Sequence, residues 1–196
     1  MMTDSTPVTL SRRTRETDIK LSLKLDGEGK IDIKTGIGFF DHMLTTLALW
    51  AGWDLALTCR GDLDVDTHHT VEDVALALGQ ALAETLAVRG FLARVGSGII
   101  PMDEALSRAV VDISGRPFCV YNANLTVERV GQFETITTGH FFRSLATAAK
   151  LTLHIENLYG DDPHHQIESM FKALGSALAQ AQTPRTGGIL STKGTL

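Results

Sequence analysis

The sequence predicts an α+β fold built from an internal duplication, and three observations carry this. First, two long amphipathic helix patterns open on the same five-residue theme, His68-His69-Thr70-Val71-Glu72 and His164-His165-Gln166-Ile167-Glu168. Second, their apolar stripes correspond one to one at a spacing of 96 residues: Val71, Val74, Ala75, Leu78 and Leu82 against Ile167, Met170, Phe171, Leu174 and Leu178. Third, runs of period-two alternation precede each helix in the same order, strand–strand–helix–strand–helix. Strands in runs with helices over one face define α+β. The halves are expected at 9–94 and 95–196, packed as one unit.

Taken in order, residues 1–8 are expected to be a loose tail. The stretch from Leu10 to Asp26 is polar and then alternates, with Ile19, Leu21, Leu23 and Leu25 against Lys20, Ser22 and Lys24, as in a strand with one wet face. Gly27-Glu28-Gly29 reads as a turn into Ile31-Asp32-Ile33, which makes a hairpin. After the loop Thr35-Gly36-Ile37-Gly38, Phe39 to Ala51 reads as a short helix carrying His42, and Asp54 to Arg60 as a strand. An acidic loop with Asp62, Asp64 and Asp66 is expected to be a solvated turn. The first long helix runs from His68 to Val88, with Gly90 ending it. In the second half, Ala105 to Ser114 and Phe118 to Leu125 read as strands around Gly115-Arg116-Pro117, and 128–138 as irregular. Gly139 to Lys150 is a short helix carrying His140, Leu151 to Asn157 a strand, and Tyr159 to Pro163 a second acidic loop. The second long helix spans His164 to Gln182, followed by a tail to Leu196.

The chain has 196 residues, 43% of them hydrophobic, enough for one large or two small globular units. A net charge of −5 gives no reason to expect nucleic acid or an acidic membrane as a partner. No apolar run reaches bilayer length, and residues 1–7 show no secretory pattern. Cys59 and Cys119 are isolated, as expected of reduced structural thiols in a cytoplasmic protein.

The His-His-x-x-Glu pattern carries chemistry. Imidazole and carboxylate donors together suit manganese, iron, cobalt, nickel or zinc. Glu72 can share a metal with His69 three residues away or with His68 four away, since both spacings share a helix face. Adjacent residues point about 100° apart, so one His-His pair fits two metals better than one. The duplication then suggests a reciprocal arrangement, in which each helix gives one His and its Glu to its own metal and the other His to its partner's. His42 and His140 would complete shells with open positions, the mark of a catalytic site. A single His-His-x-x-Glu could equally be a polar helix start, with a Glu suited to the dipole. Two copies in register, each with an upstream His, favour metal.

Longer motifs then resemble one family. Arg15-Glu16-Thr17, the run from Thr35 to Leu44, the run from Asp66 to Asp73, Ser114-Gly115-Arg116-Pro117, the second His-His-x-x-Glu and Ser191-Thr192-Lys193-Gly194 occur in the order seen in imidazoleglycerol-phosphate dehydratases. The similarity runs from about Arg12 to Gly194. It implies that each half resembles the second domain of ribosomal protein S5. It also implies two Mn2+ per active site, one held by His42, His69, Glu72 and His164, the other by His68, His140, His165 and Glu168. Trimers and a 24-subunit shell, with sites built between chains, follow from the same resemblance.

The implied reaction is the dehydration of D-erythro-imidazoleglycerol phosphate to imidazole-acetol phosphate in histidine biosynthesis. Its barrier is a non-acidic C2 proton, which a carboxylate must move. Glu16 is the first candidate. Glu72 and Glu168 follow it, because metal ligation lowers basicity. Phosphate calls for cations, and the resemblance points to Arg94, Arg116 and Lys193, with Lys172, Ser191 and Thr192 helping and Asp103 orienting substrate. Glu16, His42, His68, Glu72 and His164 would also touch substrate. A dinuclear metallohydrolase acting on a phosphorylated small molecule would use the same ligands.

Overall fold

The structure, a computed structural model, describes residues 6–193. Strands β1 (Val8–Arg13), β2 (Thr17–Lys24), β3 (Ile31–Lys34) and β4 (Asp54–Gly61) form one mixed sheet in the order β1-β2-β4-β3. Strands β5 (Val95–Met102), β6 (Ala105–Asp112), β7 (Phe118–Asn122) and β10 (Thr152–Tyr159) form a second, in the order β5-β6-β10-β7. In each, three strands pair antiparallel and the last joins in parallel. Four helices lie with them: α1 (Gly38–Ala51) and α2 (His68–Ala87), α3 (Thr137–Ala149) and α4 (Pro163–Ala181). The short strands β8 (Arg129–Val130) and β9 (Phe133–Glu134) make a ribbon just before α3. The fold is therefore α+β, with the doubled sheet-plus-two-helix plan that the repeat predicts.

The halves meet through their helices, α1 against α4 and α2 against α3, while the sheets cover the outside. Strand alternation explains this. In β2, Ile19, Leu21 and Leu23 are buried and Lys20 is exposed, so one face must be covered and the other stays wet. Gly79 and Gly175, 96 residues apart, allow the crossings. A Cβ on Gly79 would stand 2.7 Å from the Leu145 carbonyl oxygen, and one on Gly175 2.6 Å from Cβ of Trp50. Between the halves, the buried Trp53 indole donates to Gln182 Oε1 at 2.8 Å, and the Gln182 amide donates to the Ala51 carbonyl at 2.8 Å.

Four expectations are corrected. The hairpin does not form, because β3 joins β4 in parallel and β2 takes β4's other edge. The connection from β3 runs through α1 to β4, and Asp54 Oδ1 accepts from the N–H groups of Glu28 (2.7 Å) and Lys30 (2.8 Å), holding the turn against the start of β4. Val8, expected in a loose tail, opens β1, and the stretch read as one strand breaks at residues 14–16. The region 128–138 is a ribbon that leads into α3. Residues 1–5 of the expected tail, and Gly194 of the C-terminal motif, lie outside the described residues.

Candidate metal centre and active site

Each His-His pair sits on the first turn of its helix, held there by an aspartate two residues upstream. Asp66 Oδ1 accepts from the His68 N–H at 2.7 Å, and Asp162 Oδ1 from the His164 N–H at 2.8 Å. These acidic loops, expected to be solvated turns, fix the start of the ligand-bearing helices.

From this start, one His of each pair turns toward the upstream His. His42 on α1 meets α4: His42 Nε2 lies 3.2 Å and His164 Nε2 3.1 Å from Glu168 Oε2. One donor atom from each of the three lies within 4.8 Å of the others. In the other half, His68 and His140 bring their rings to 4.5 Å, and His68 Nε2 lies 3.4 Å from Glu72 Oε2. Each half thus brings two imidazoles and a carboxylate together, and among the described residues only His42, His164 and Glu168 close into a compact three-donor group. Burial, then the neighbouring His68, hold His140 below its ordinary pKa. At Glu168 burial opposes ionisation, but Lys172, 2.8 Å from Oε1, and His42 outweigh it and hold the carboxyl below its usual range.

The second His of each pair turns away, with ring planes 78° apart for His68 and His69 and 76° for His164 and His165. His69 Nδ1 lies 3.0 Å from Asp62 Oδ2, and His165 Nδ1 2.8 Å from Glu104 Oε2. A carboxylate accepts only, so in the neutral ring it assigns the proton to Nδ1 and leaves Nε2 with its lone pair. The hydrogen bond to Asp62 raises the pKa of His69, and that to Glu104 raises the pKa of His165. Glu104 itself is pulled down to about 2, first by the Asp162 N–H and then by His165. Asp62 and Glu104 were not among the expected site residues. Asp62 is one of three loop aspartates without a distinguishing pattern, and Glu104 is brought to His165 by the β5–β6 turn.

Beside the free nitrogens stand two more expected carboxylates. Glu16, in the β1–β2 turn, has Oε1 3.7 Å from His69 Nε2, and Asp103, in the β5–β6 turn, has Oδ2 3.8 Å from His165 Nε2. Both are too far to hydrogen-bond, and both face the open side of a ring.

The expected phosphate cations lie elsewhere, Lys172 excepted. The Arg94 N–H bonds the Ala181 carbonyl at the far end of α4. Its guanidinium grips Asp112 at 2.7 and 3.0 Å and donates to the Leu190 carbonyl. A cleft of about 400 Å³ there is lined by Ala87, Arg94, Gly115, Ala149 and Leu190. Arg116 donates to the Ser114 carbonyl at 3.2 Å, and Ser191 Oγ accepts from the Lys193 N–H at 3.2 Å, with Thr192 between them. The histidines stand at the N-terminal ends of α2 and α4, which have 20 and 19 residues. At about 1.5 Å per residue, Arg94, bonded to the far end of α4, is a helix length, roughly 28 Å, from His164 and His165 of its own chain.

Fold and site together define a duplicated α+β protein that displays paired His/Glu clusters suited to divalent transition metals. The imidazoleglycerol-phosphate dehydratase family model matches residues 35–178. Imidazoleglycerol-phosphate dehydratase of Acetivibrio thermocellus is 49% identical over 189 residues, covering 95% of this chain and 97% of that protein. The protein of the same name from Alkaliphilus metalliredigens is 52% identical over 187 residues, covering 94% and 96%. The crystal structure of the Staphylococcus aureus enzyme superposes with a TM-score of 0.82 at 39% identity, covering 91% of this chain and 99% of that one. That of Pyrococcus furiosus gives 0.82 at 38%, covering 95% and 100%. The chain belongs to the imidazoleglycerol-phosphate dehydratase family.

Proposed function

We propose that the chain is a manganese-dependent hydro-lyase that dehydrates D-erythro-imidazoleglycerol phosphate to imidazole-acetol phosphate in histidine biosynthesis. The observation that carries this reading is the compact His42/His164/Glu168 group together with the corresponding pairing of His68 with His140 and Glu72, each beside a His whose Nδ1 is held by a carboxylate.

The donor set fits manganese: nitrogens and carboxylate oxygens without thiolate, three of them within 4.8 Å. We assign His42, His69, Glu72 and His164 to one Mn2+ and His68, His140, His165 and Glu168 to the other. In one chain each carboxylate lies beside the imidazole pair of the opposite set, so these assignments draw on neighbouring chains. Bound there, the metals would supply Lewis acidity and a template for the substrate ring.

The remaining work falls to the chain's own groups. Asp62 and Glu104 hold the His69 and His165 rings in the ligating tautomer. Glu16, beside the free face of His69, takes the C2 proton as the C3–O bond breaks and passes it to the departing hydroxyl, which leaves as water. The resulting enol tautomerises to the ketone. Glu72 and Glu168, engaged with imidazoles, are left as ligands. Asp103 orients substrate opposite Glu16, and Lys172, over Glu168, offers a charge near the metal end. Arg94, Arg116, Ser191, Thr192 and Lys193 hold phosphate. Their distance from the histidines of the same chain supports contribution by a neighbouring subunit, as trimers assembling into a 24-subunit shell would provide. A cytoplasmic setting suits the free thiols of Cys59 and Cys119.

The test is turnover of imidazoleglycerol phosphate by the manganese-loaded protein. Dehydrated product without free phosphate supports the lyase. Inorganic phosphate as the product would point to the dinuclear hydrolase, and no conversion at full manganese loading would sink the enzyme reading.

A further inference from the structure

The turn that carries Glu16 is tied to helix α2 by a chain of hydrogen bonds whose directions are all determined. Asp73, next to Glu72 on α2, is buried at 8% exposure and paired with Arg12 of β1 at 2.9 and 3.3 Å. Its carboxylate can only accept, so the Thr17 hydroxyl donates to it, at 2.5 Å. With its proton spent, Thr17 Oγ1 accepts from the Thr14 hydroxyl at 3.2 Å. Thr14 Oγ1 in turn accepts from the N–H groups of Glu16 at 3.1 Å and Thr17 at 2.9 Å. On its other side the Glu16 carbonyl accepts from the N–H of Asp62, the residue that orients His69. The backbone of Glu16 is thereby fixed to the helix that bears His69 and Glu72. The second half is built differently. Ser169, 96 residues after Asp73, meets Ser107 at 2.7 Å in a neutral pair.

We propose that Thr17, anchored by Asp73, is a positioning residue that acts with Thr14 to hold Glu16 against the open face of His69. The duplicated protein thereby has its proton-transfer group built into the first half. This rests on the reading of Glu16 as the base. A shift of about 1 Å at a reacting group can cost up to about a hundredfold in rate. Thr17→Val removes the hydroxyl at constant shape, while Thr17→Ser retains it. Thr14→Val tests the same chain at an exposed turn.

The experiment measures kcat, KM, manganese content and assembled size for Thr17→Val, Thr17→Ser, Thr14→Val, Glu16→Gln and the Glu16→Gln/Thr17→Val double variant. Thr17→Val and Thr14→Val are expected to lower kcat by about 10- to 100-fold with KM, metal and size unchanged. Thr17→Ser should restore most of the rate. In the Glu16→Gln background, Thr17→Val should cost nothing further, as for groups that act as one unit. A Thr17→Val rate equal to wild type, or a loss that multiplies that of Glu16→Gln, overturns the positioning role. If Thr17→Val does not assemble, Thr14→Val decides by the same criteria. A near-normal rate for Glu16→Gln instead overturns the reading of Glu16 as base.

Discussion

Glu104 Oε2 lies 2.8 Å from His165 Nδ1, while Oε1 of the same carboxylate accepts from the N–H groups of Asp161 at 3.1 Å and Asp162 at 2.8 Å. One side chain from the β5–β6 turn therefore sets both the loop that starts α4 and the ring that leaves its Nε2 free. Glu104→Gln keeps the shape and replaces a charged acceptor with a neutral one. Manganese affinity should fall about 10- to 100-fold, as when a partner behind a metal-binding imidazole is removed. Asp62→Asn should do the same through His69. Unchanged manganese titrations by calorimetry in both variants would show that these carboxylates do not support ligation.

Glu16 stands 3.7 Å from His69 Nε2 without bonding it, so its removal should not disturb the metal. Glu16→Gln is expected to keep metal content and assembled size while kcat falls by about 10²- to 10⁴-fold, the usual contribution of a positioned proton-transfer group. Loss of manganese together with activity would make Glu16 a ligand instead.

Gly79 and Gly175 are the contact points of the helix pairs that join the halves. An added methyl would press on the Leu145 carbonyl in one case and on Trp50 in the other. Gly79→Ala and Gly175→Ala should each destabilise by about 1–3 kcal/mol, the range for overfilled packing. Thermal scans of the assembled protein should show lower melting temperatures. An unchanged melting temperature would mean that the helices separate there at little cost.

Burial pushes the Cys59 thiol up to about 12 and the Cys119 thiol to about 11. A raised pKa means less thiolate at a given pH. At pH 8 the folded protein should hold on the order of a hundredfold or more less thiolate at these sites than a free cysteine with a pKa of about 8.5. Iodoacetamide should leave both unmodified by mass spectrometry until the chain is denatured. Rapid native labelling of Cys59 would contradict its place in the core.

The repeat made the fold class and the ligand-bearing helices legible, because apolar stripes and a fixed 96-residue spacing survive in sequence. What escaped reading was decided by single side chains acting at a distance. Strand β3 joins β4 in parallel across α1, with Asp54 holding the 28–30 turn, instead of closing a hairpin on β2. Strand β5 was missed because Gly96, Gly98 and Pro101 depress its strand character. The glycines are there because β5 lies close on α4, where a Cβ on Gly98 would stand 3.1 Å from that of Ser176. His42 lies beside His164 and His68 beside His140, while the support from Asp62 and Glu104 has no local pattern to reveal it.

The central claim is that manganese held by the doubled His-His-x-x-Glu helices makes this chain a dehydratase. The most direct measurement strips the purified protein with chelator. It then follows metal content, particle size and conversion of imidazoleglycerol phosphate as manganese is returned. The account predicts that activity disappears with the metal and returns in proportion to two manganese ions per site, with large assemblies re-forming. Full conversion by metal-free protein, or no conversion after two manganese ions per site have rebound, would contradict it.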